Sequence, residues 1–195
     1  MKILRILMIA LAALTVSVGM AQPGTANAQK ADAAMEAIRK LDLLNQILPI
    51  VLTKEQVNHL LPVVEKARAK FRLTMQREAE ELGKMQSRLD AAVKEATDNQ
   101  KLPDKALLAE ANKLINTLTL VRQVITEENT DLVLEQLKKT CNAGQLKTAA
   151  NSLDPRYYGS TAKPAEVKEE TKLRLFVREI LLDALTYDLL LKMAK

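Results

Sequence analysis

The chain has 195 residues, of which 48% are hydrophobic and 27% are charged, with one His, one Cys and five Gly. One His and one Cys cannot fill the ligand shell of a zinc site, and the scattered glycines match neither a P-loop nor a dinucleotide-binding fingerprint. No nucleophile and base are marked by their spacing, so we expect neither an enzyme nor a cofactor. The abundance of helix-forming residues predicts an all-α protein that binds other molecules.

Residues 1–28 have the pattern of a secretory signal peptide. Lys2 and Arg5 precede an uncharged run over residues 6–21. Ala26 and Ala28 then supply a small-x-small cleavage pattern. An earlier cut at the end of the run and an uncut anchor are the alternatives, but the run is shorter than the ~20 residues that span a bilayer. We expect a periplasmic or secreted protein with no stable membrane insertion after cleavage.

The mature chain would be only mildly basic. Removing Lys2 and Arg5 with the signal peptide leaves 27 basic and 24 acidic residues, a net charge of +3. That charge is too small to indicate nucleic-acid binding. Cys141 has no second cysteine in the chain, so it is either a small buried apolar residue or a bridge to another chain.

The remaining pattern predicts one all-helical domain over residues 29–195. A first helix begins at Asp32 as N-cap and stops before Pro49. Two long helices follow over residues 54–97 and 104–139, then a short helix over 143–153 and a C-terminal helix over 165–193.

The two long helices suggest the architecture. Pro62 lies inside the first of them and should kink it, because proline lacks the backbone donor and clashes with the preceding turn. At ~1.5 Å per residue the first helix would be ~60 Å long, too long to fold into a globule of this size. We therefore expect an elongated, kinked antiparallel hairpin with flanking helices that forms a homodimer. The wide apolar surface of the C-terminal helix fits either packing on the hairpin or a place in the dimer interface.

Two helix starts share a capping pattern. Leu52 and Thr53 are followed by Gln56, so that Thr53 can cap the helix while Gln56 reaches back to its backbone. Asn142 and Gln145 repeat this spacing near the end of the second long helix, with Cys141 in the place of the leucine. A plain helix start is the simpler explanation, since a cap stabilises a helix by only ~1 kcal/mol.

The first of these motifs resembles the Leu-Thr-x-x-Gln signature of the Spy/CpxP family of periplasmic proteins, which often carry it twice. Leu52, Thr53 and Gln56 match it in full, whereas Cys141 and Asn142 depart from it at the second copy. The resemblance covers about residues 40–153. It implies a cradle-shaped dimer that acts as an ATP-independent chaperone or as an envelope-stress regulator, with some relatives sensing metals.

A basic stripe is the candidate client-binding surface. Its cations fall within about 40° of one another on the first long helix, on the side away from the apolar heptad positions. They are Lys66, Lys70, Arg77, Lys84 and Arg88, and Val63 and Leu73 border them. Such a surface suits weak contacts with unfolded or envelope proteins. A merely solvated face is the alternative, and an adaptor for one envelope partner is the runner-up function.

Two smaller features remain. His59 lies one turn from Glu55, but two ligands make an incomplete metal site, so the metal-sensing variant is the least favoured. Tyr157 and Tyr158 are adjacent in a predicted loop, where they either cover the end of the bundle or anchor a partner.

Overall fold

The structure is a computed structural model that describes residues 26–195. Of these residues 82% are helical and none lies in a strand, which confirms the all-α class. The predicted signal peptide lies outside the described residues apart from its last three positions. In the described part of the chain, no helix is both long and apolar enough to span a membrane.

The described residues form six α-helices, and the longest connection, residues 151–168, joins the fourth helix to the fifth. Their bounds are α1 Ala26–Ile47, α2 Lys54–Asn99, α3 Lys105–Thr140, α4 Ala143–Ala150, α5 Glu169–Phe176 and α6 Thr186–Met193. Two 3-10 turns lie at Leu48–Ile50 and Pro155–Tyr158, and a π-helical turn at Val177–Leu181 follows α5 directly.

The chain divides into two compact units, residues 1–39 and residues 40–195. The described part of the first unit is the beginning of α1, where the side chains of residues 28–39 are exposed. The helix already includes Ala26, so the predicted start at Asp32 is wrong. The reason is local, because the alanine-rich sequence before Asp32 favours a helical conformation. α1 ends at Ile47, just before Pro49, as predicted.

The two long helices begin and end within two residues of their predicted bounds. Thr53 caps α2, and Asp104 caps α3 by accepting a hydrogen bond from the Ala106 backbone N–H at 2.9 Å. α2 ends at Asn99, where the C-cap residue Gln100, with a φ of 52°, breaks the helical path. Pro62 lies inside α2, and the helix continues on both sides of it.

Contacts between α2 and α3 follow an antiparallel order. Lys70 pairs with Glu128, and Arg88, further along α2, pairs with Glu110, further back in α3. Between these ends, Arg122 of α3 binds the buried Glu78 of α2. Residue numbers therefore fall along α3 as they rise along α2.

The predicted continuous helix over 165–193 is wrong, because the chain breaks between the π-helical turn and α6. The Asp183 carboxylate accepts a hydrogen bond from the Leu185 backbone N–H at 2.8 Å, and the buried Thr186 hydroxyl donates to the Ile180 carbonyl at 2.5 Å. Short polar side chains that bind nearby backbone groups compete with helical hydrogen bonds. The break lets α5 contact α4 and α3 while α6 contacts α2.

The core lies within residues 40–195, where residues 169–195, the C-terminal segment, pack on the start of α2 and the end of α3. We call this the proximal end of the α2–α3 pair, and the end near residues 99–105 the distal end. The largest fully buried side chains come from the end of α1 and the turn after it, the start of α2, the end of α3 and residues 176–190. They include Ile47, Ile50, Leu60, Val64, Val133, Leu137, Phe176, Leu181 and Leu190. The C-terminal segment is therefore part of the core of its own chain.

Candidate functional site

Both predicted capping motifs form complete capping boxes. The Thr53 hydroxyl accepts from the Gln56 backbone N–H at 3.1 Å, and the Gln56 side chain accepts from the Thr53 N–H at 2.9 Å. Asn142 and Gln145 repeat this arrangement at 2.9 and 3.0 Å. The weaker second motif therefore has the same local geometry as the first.

The two glutamine side chains also bind each other. Gln56 Nε2 donates to Gln145 Oε1, and Gln145 Nε2 donates to Gln56 Oε1, both at 2.9 Å. Each amide then donates once more across the junction, Gln56 to the Thr140 carbonyl at 2.9 Å and Gln145 to the Val51 carbonyl at 3.0 Å. Each glutamine thus caps its own helix and ties it to the turn before the other.

This junction is symmetric in sequence position. Thr140 and Val51 each stand two residues before their N-cap, and the two glutamines are separated by 89 residues. Cys141 occupies the place of Leu52 and is buried and free. Burial raises the pKa of its thiol to about 11. Cys141 therefore acts here as a small apolar side chain, one of the two alternatives that its isolation left open.

The basic stripe lies beside the α2–α3 contact and not opposite the buried face of α2. The distal contact is centred on Ala67, Glu78 and Met85, which are buried, about a quarter of a turn from the stripe. The apolar heptad positions of the sequence, which run through Phe71 and Leu82, placed the buried face of α2 further from the stripe, but these two side chains are 41% and 40% exposed.

The stripe's five cations differ in their partners. Lys70 pairs with Glu128, Lys84 with Glu81 at 2.5 Å, and Arg88 with Glu110 through two hydrogen bonds. The Arg88 hydrogen bonds lower the pKa of Glu110. These three carry little unopposed charge.

Lys66 and Arg77 are the exposed cations of the stripe that have no ion pair among the described residues. Leu73, which is 48% exposed, lies between them on the same side of α2. Val63 is half-buried and packs on the core. The part of the stripe open to a partner is therefore Lys66, Leu73 and Arg77, which we call the open patch.

An ion pair is enclosed between the long helices near their middle. The Glu78 side chain is only 6% exposed, and Arg122 donates to both of its oxygens, with Nε at 2.6 Å. This hydrogen bonding raises the pKa of the Arg122 guanidinium. Nearby, the buried Asn129 amide donates to the Ala67 carbonyl at 3.0 Å. Polar groups therefore fix the α2–α3 register where apolar packing is thin.

The remaining candidates are surface features. A cleft of about 560 Å³ lies beside Asn45, Gln46 and Lys147, between the end of α1 and α4. Tyr157 is 87% exposed, so it does not cover the end of the bundle. His59 is exposed, and no group of three or more His, Cys, Asp or Glu in the described part of the chain could hold a metal.

Comparison of the chain with protein-family models, with curated proteins and with solved structures found no match in any of the three.

Proposed function

We propose that this protein is an ATP-independent periplasmic chaperone that binds unfolded clients through the open patch of α2. The observation that carries the proposal is the arrangement of Lys66 and Arg77, both unpaired within the described residues, on either side of the exposed Leu73. Flexible cations attract acidic client segments, while their aliphatic stems and the leucine contact apolar ones. Such contacts are weak and tolerant of client sequence.

The same proposal includes the architecture expected from the sequence. The α2–α3 pair would form an elongated hairpin, kinked at Pro62, in a homodimer that resembles the Spy/CpxP proteins. Support comes from the Gln56–Gln145 junction, in which the second motif, although it departs from the family signature, is hydrogen-bonded to the first. A junction that ties the two ends of the long helices together suits a stable frame on which a client surface is displayed.

The test reverses the charge of the open patch. We expect Lys66→Glu with Arg77→Glu to raise the concentration needed for half-protection of an aggregating client about tenfold, a loss of ~1.4 kcal/mol of binding free energy. The effect should be large at ~0.01 M salt, where the Debye length is ~30 Å, and small at 1 M, where it is ~3 Å. Light scattering of the client, without nucleotide, measures protection.

The matched control is Lys94→Glu with Lys113→Glu, which changes the net charge equally at exposed sites of α2 and α3 away from the open patch. Protection should be unchanged in this variant. Equal loss in both variants would assign the effect to net charge, and client aggregation unaffected by excess wild-type protein would refute the chaperone function. Lys70 is left unaltered, because reversing it would place two carboxylates together at Glu128.

A non-enzymatic envelope adaptor is the second candidate, and Tyr157 is the observation that favours it. This side chain is 87% exposed beside Tyr158, and exposed aromatic pairs are common anchors at protein interfaces. An adaptor would protect none of several unrelated clients. It would capture a single species from envelope extract, and that species would be lost with Tyr157→Ala.

A further inference from the structure

The distal α2–α3 pair has two long sides that differ in charge. One, the charged side, carries the Lys70–Glu128 and Arg88–Glu110 ion pairs. At about 100° per residue, a set of apolar residues falls on the other side of the line where the helices meet. We call this the uncharged side; it comprises Met75, Leu82, Leu89 and Val93 of α2, and Leu108 and Ile115 of α3.

The uncharged side is open to solvent over much of its length. Leu82 is 40% exposed, Ile115 47%, Leu108 46% and Val93 62%. Large apolar residues gathered on one side of a helix pair are typical of an interface, whereas single exposed ones need no explanation.

The proximal part of this same side is already an interface. There α6 packs on α2, and Arg68, which lies on the same line of α2 as Met75 and Leu82, stacks over the Tyr187 ring at 4.3 Å. The π-helical turn after α5 packs on α3. The C-terminal segment therefore covers the proximal part of this side of the helix pair, and the distal part of the same side is left uncovered.

Charge decides what can occupy the uncovered part. On α2, no charged residue falls on this side between Arg72 and Asp90. On α3, Arg122 falls on this side, and its charge is neutralised by Glu78. The rim consists of uncharged polar side chains such as Gln86 and Asn112.

A surface that meets its own copy across a twofold axis must lack unopposed charge, because each charge near the axis faces its equivalent. The uncharged side meets this condition, whereas the open patch, with Lys66 and Arg77, does not. The size is also adequate. Met75 to Val93 spans about 27 Å and two helices are about 20 Å wide, so two copies would bury about 1,100 Å², above the roughly 1,000 Å² of a specific interface.

We propose that a second copy of this chain packs its uncharged side on this one, so that the charged side and its open patch remain outside. The interface deepens the proposed function, on which it rests for the assumption of a homodimer. It separates the dimer surface from the client surface on opposite sides of the same helix pair.

The test is Leu82→Glu with Ile115→Glu in the full chain, with mass measured by light scattering and sedimentation velocity. The wild type should have the mass of two chains and the variant half that mass, with unchanged helicity by circular dichroism. Both side chains are exposed, so the fold should tolerate the change. Leu82→Gln with Ile115→Gln is a milder second variant, which should raise the dimer dissociation constant about tenfold or more.

The matched control is Leu120→Glu with Val124→Glu, at apolar residues of α3 that are 62% and 55% exposed but lie off the uncharged side. This control should stay dimeric. A monomeric wild type, a Leu82→Glu, Ile115→Glu variant that stays dimeric, or a monomeric control would each overturn the interface. A dimeric protein that fails to protect clients would instead refute the proposed function and leave the interface standing.

Discussion

Glu78 shows how a charged residue can occupy a core position. Its place in the heptad pattern of α2 puts it against α3, where its side chain is almost fully enclosed. Arg122 reaches it with two nitrogens, so the carboxylate retains strong hydrogen bonds after leaving water. An enclosed pair of this kind contributes little net stability compared with apolar residues, but it is costly to leave half-made.

The corresponding prediction separates those two properties. Glu78→Ala should lower the free energy of unfolding by about 3 kcal/mol, because it strands Arg122. Glu78→Met combined with Arg122→Met should be within about 1 kcal/mol of the wild type or above it. Urea titration followed by circular dichroism measures both. Glu128→Ala, which breaks the exposed Lys70 pair, is the control and should lower the free energy of unfolding by less than about 1 kcal/mol. A Glu78→Met, Arg122→Met variant less stable than Glu78→Ala would contradict the prediction.

The sequence identifies several of the side chains that form the candidate sites, but not their partners on other helices. Thr53 and Gln56 could be recognised as a capping box because their hydrogen bonds are local and depend on a spacing of three residues. The bond between Gln56 and Gln145 could not, because it joins positions 89 residues apart. Lys70 and Arg88 pair with carboxylates of α3, and Arg122 of α3 pairs with Glu78 of α2. These pairings depend likewise on helix register, which the pattern of one helix does not contain.

At the scale of elements, helix ends could be predicted where the signal was chemical. Pro49, Thr53 and Asp104 each mark a helix boundary to within two residues, since a cap or a missing donor acts on its immediate neighbours. The break before α6 could not be predicted, because Leu182 and Leu185 continue the apolar pattern through it. There Asp183 and Thr186 bind backbone groups in a way that tertiary packing selects.

The junction between the starts of α2 and α4 yields an element-scale prediction. Gln56→Ala and Gln145→Ala should each cost about 1–2 kcal/mol of unfolding free energy, from a lost cap and lost amide bonds. The double variant should cost about 1 kcal/mol less than the sum, because each single change already breaks the shared bonds. Urea unfolding of the four proteins supplies the cycle.

The control cycle pairs Gln56→Ala with Asp104→Ala, which removes the cap of α3. The Asp104 side chain caps its own helix start and takes no part in the glutamine junction, so those two changes should be additive within about 0.5 kcal/mol. Additivity in both cycles would mean that the glutamines do not act together in solution.

At the scale of the whole molecule, the C-terminal segment completes the core. Phe176, Leu181 and Leu190 are fully buried, and the Lys54 ammonium donates to the carbonyl of the last residue, Lys195. Arg174 also binds Glu127 and Asp131 on α3. The stability of the unit spanning residues 40–195 therefore depends on its last elements as much as on its long helices.

Deletion of residues 169–195 should accordingly abolish cooperative thermal unfolding, because it exposes the apolar residues that the segment covers. Circular dichroism melting and light scattering would record a broad transition and aggregation. Deletion of residues 26–39, whose described side chains are exposed, is the control and should leave the transition sharp. A sharp transition after deletion of residues 169–195 would show that the long helices fold without the C-terminal segment.

The interlocked glutamines also bear on how long a folded molecule lasts. Their mutual bond closes a loop of 89 residues that contains both long helices, and because closing a long loop costs entropy, we expect the bond to form late in folding, after the helices have met. Contacts made after the rate-limiting step slow unfolding while leaving the rate of folding nearly unchanged. We therefore expect the amide pair to prolong the lifetime of the native state, a kinetic property separate from equilibrium stability.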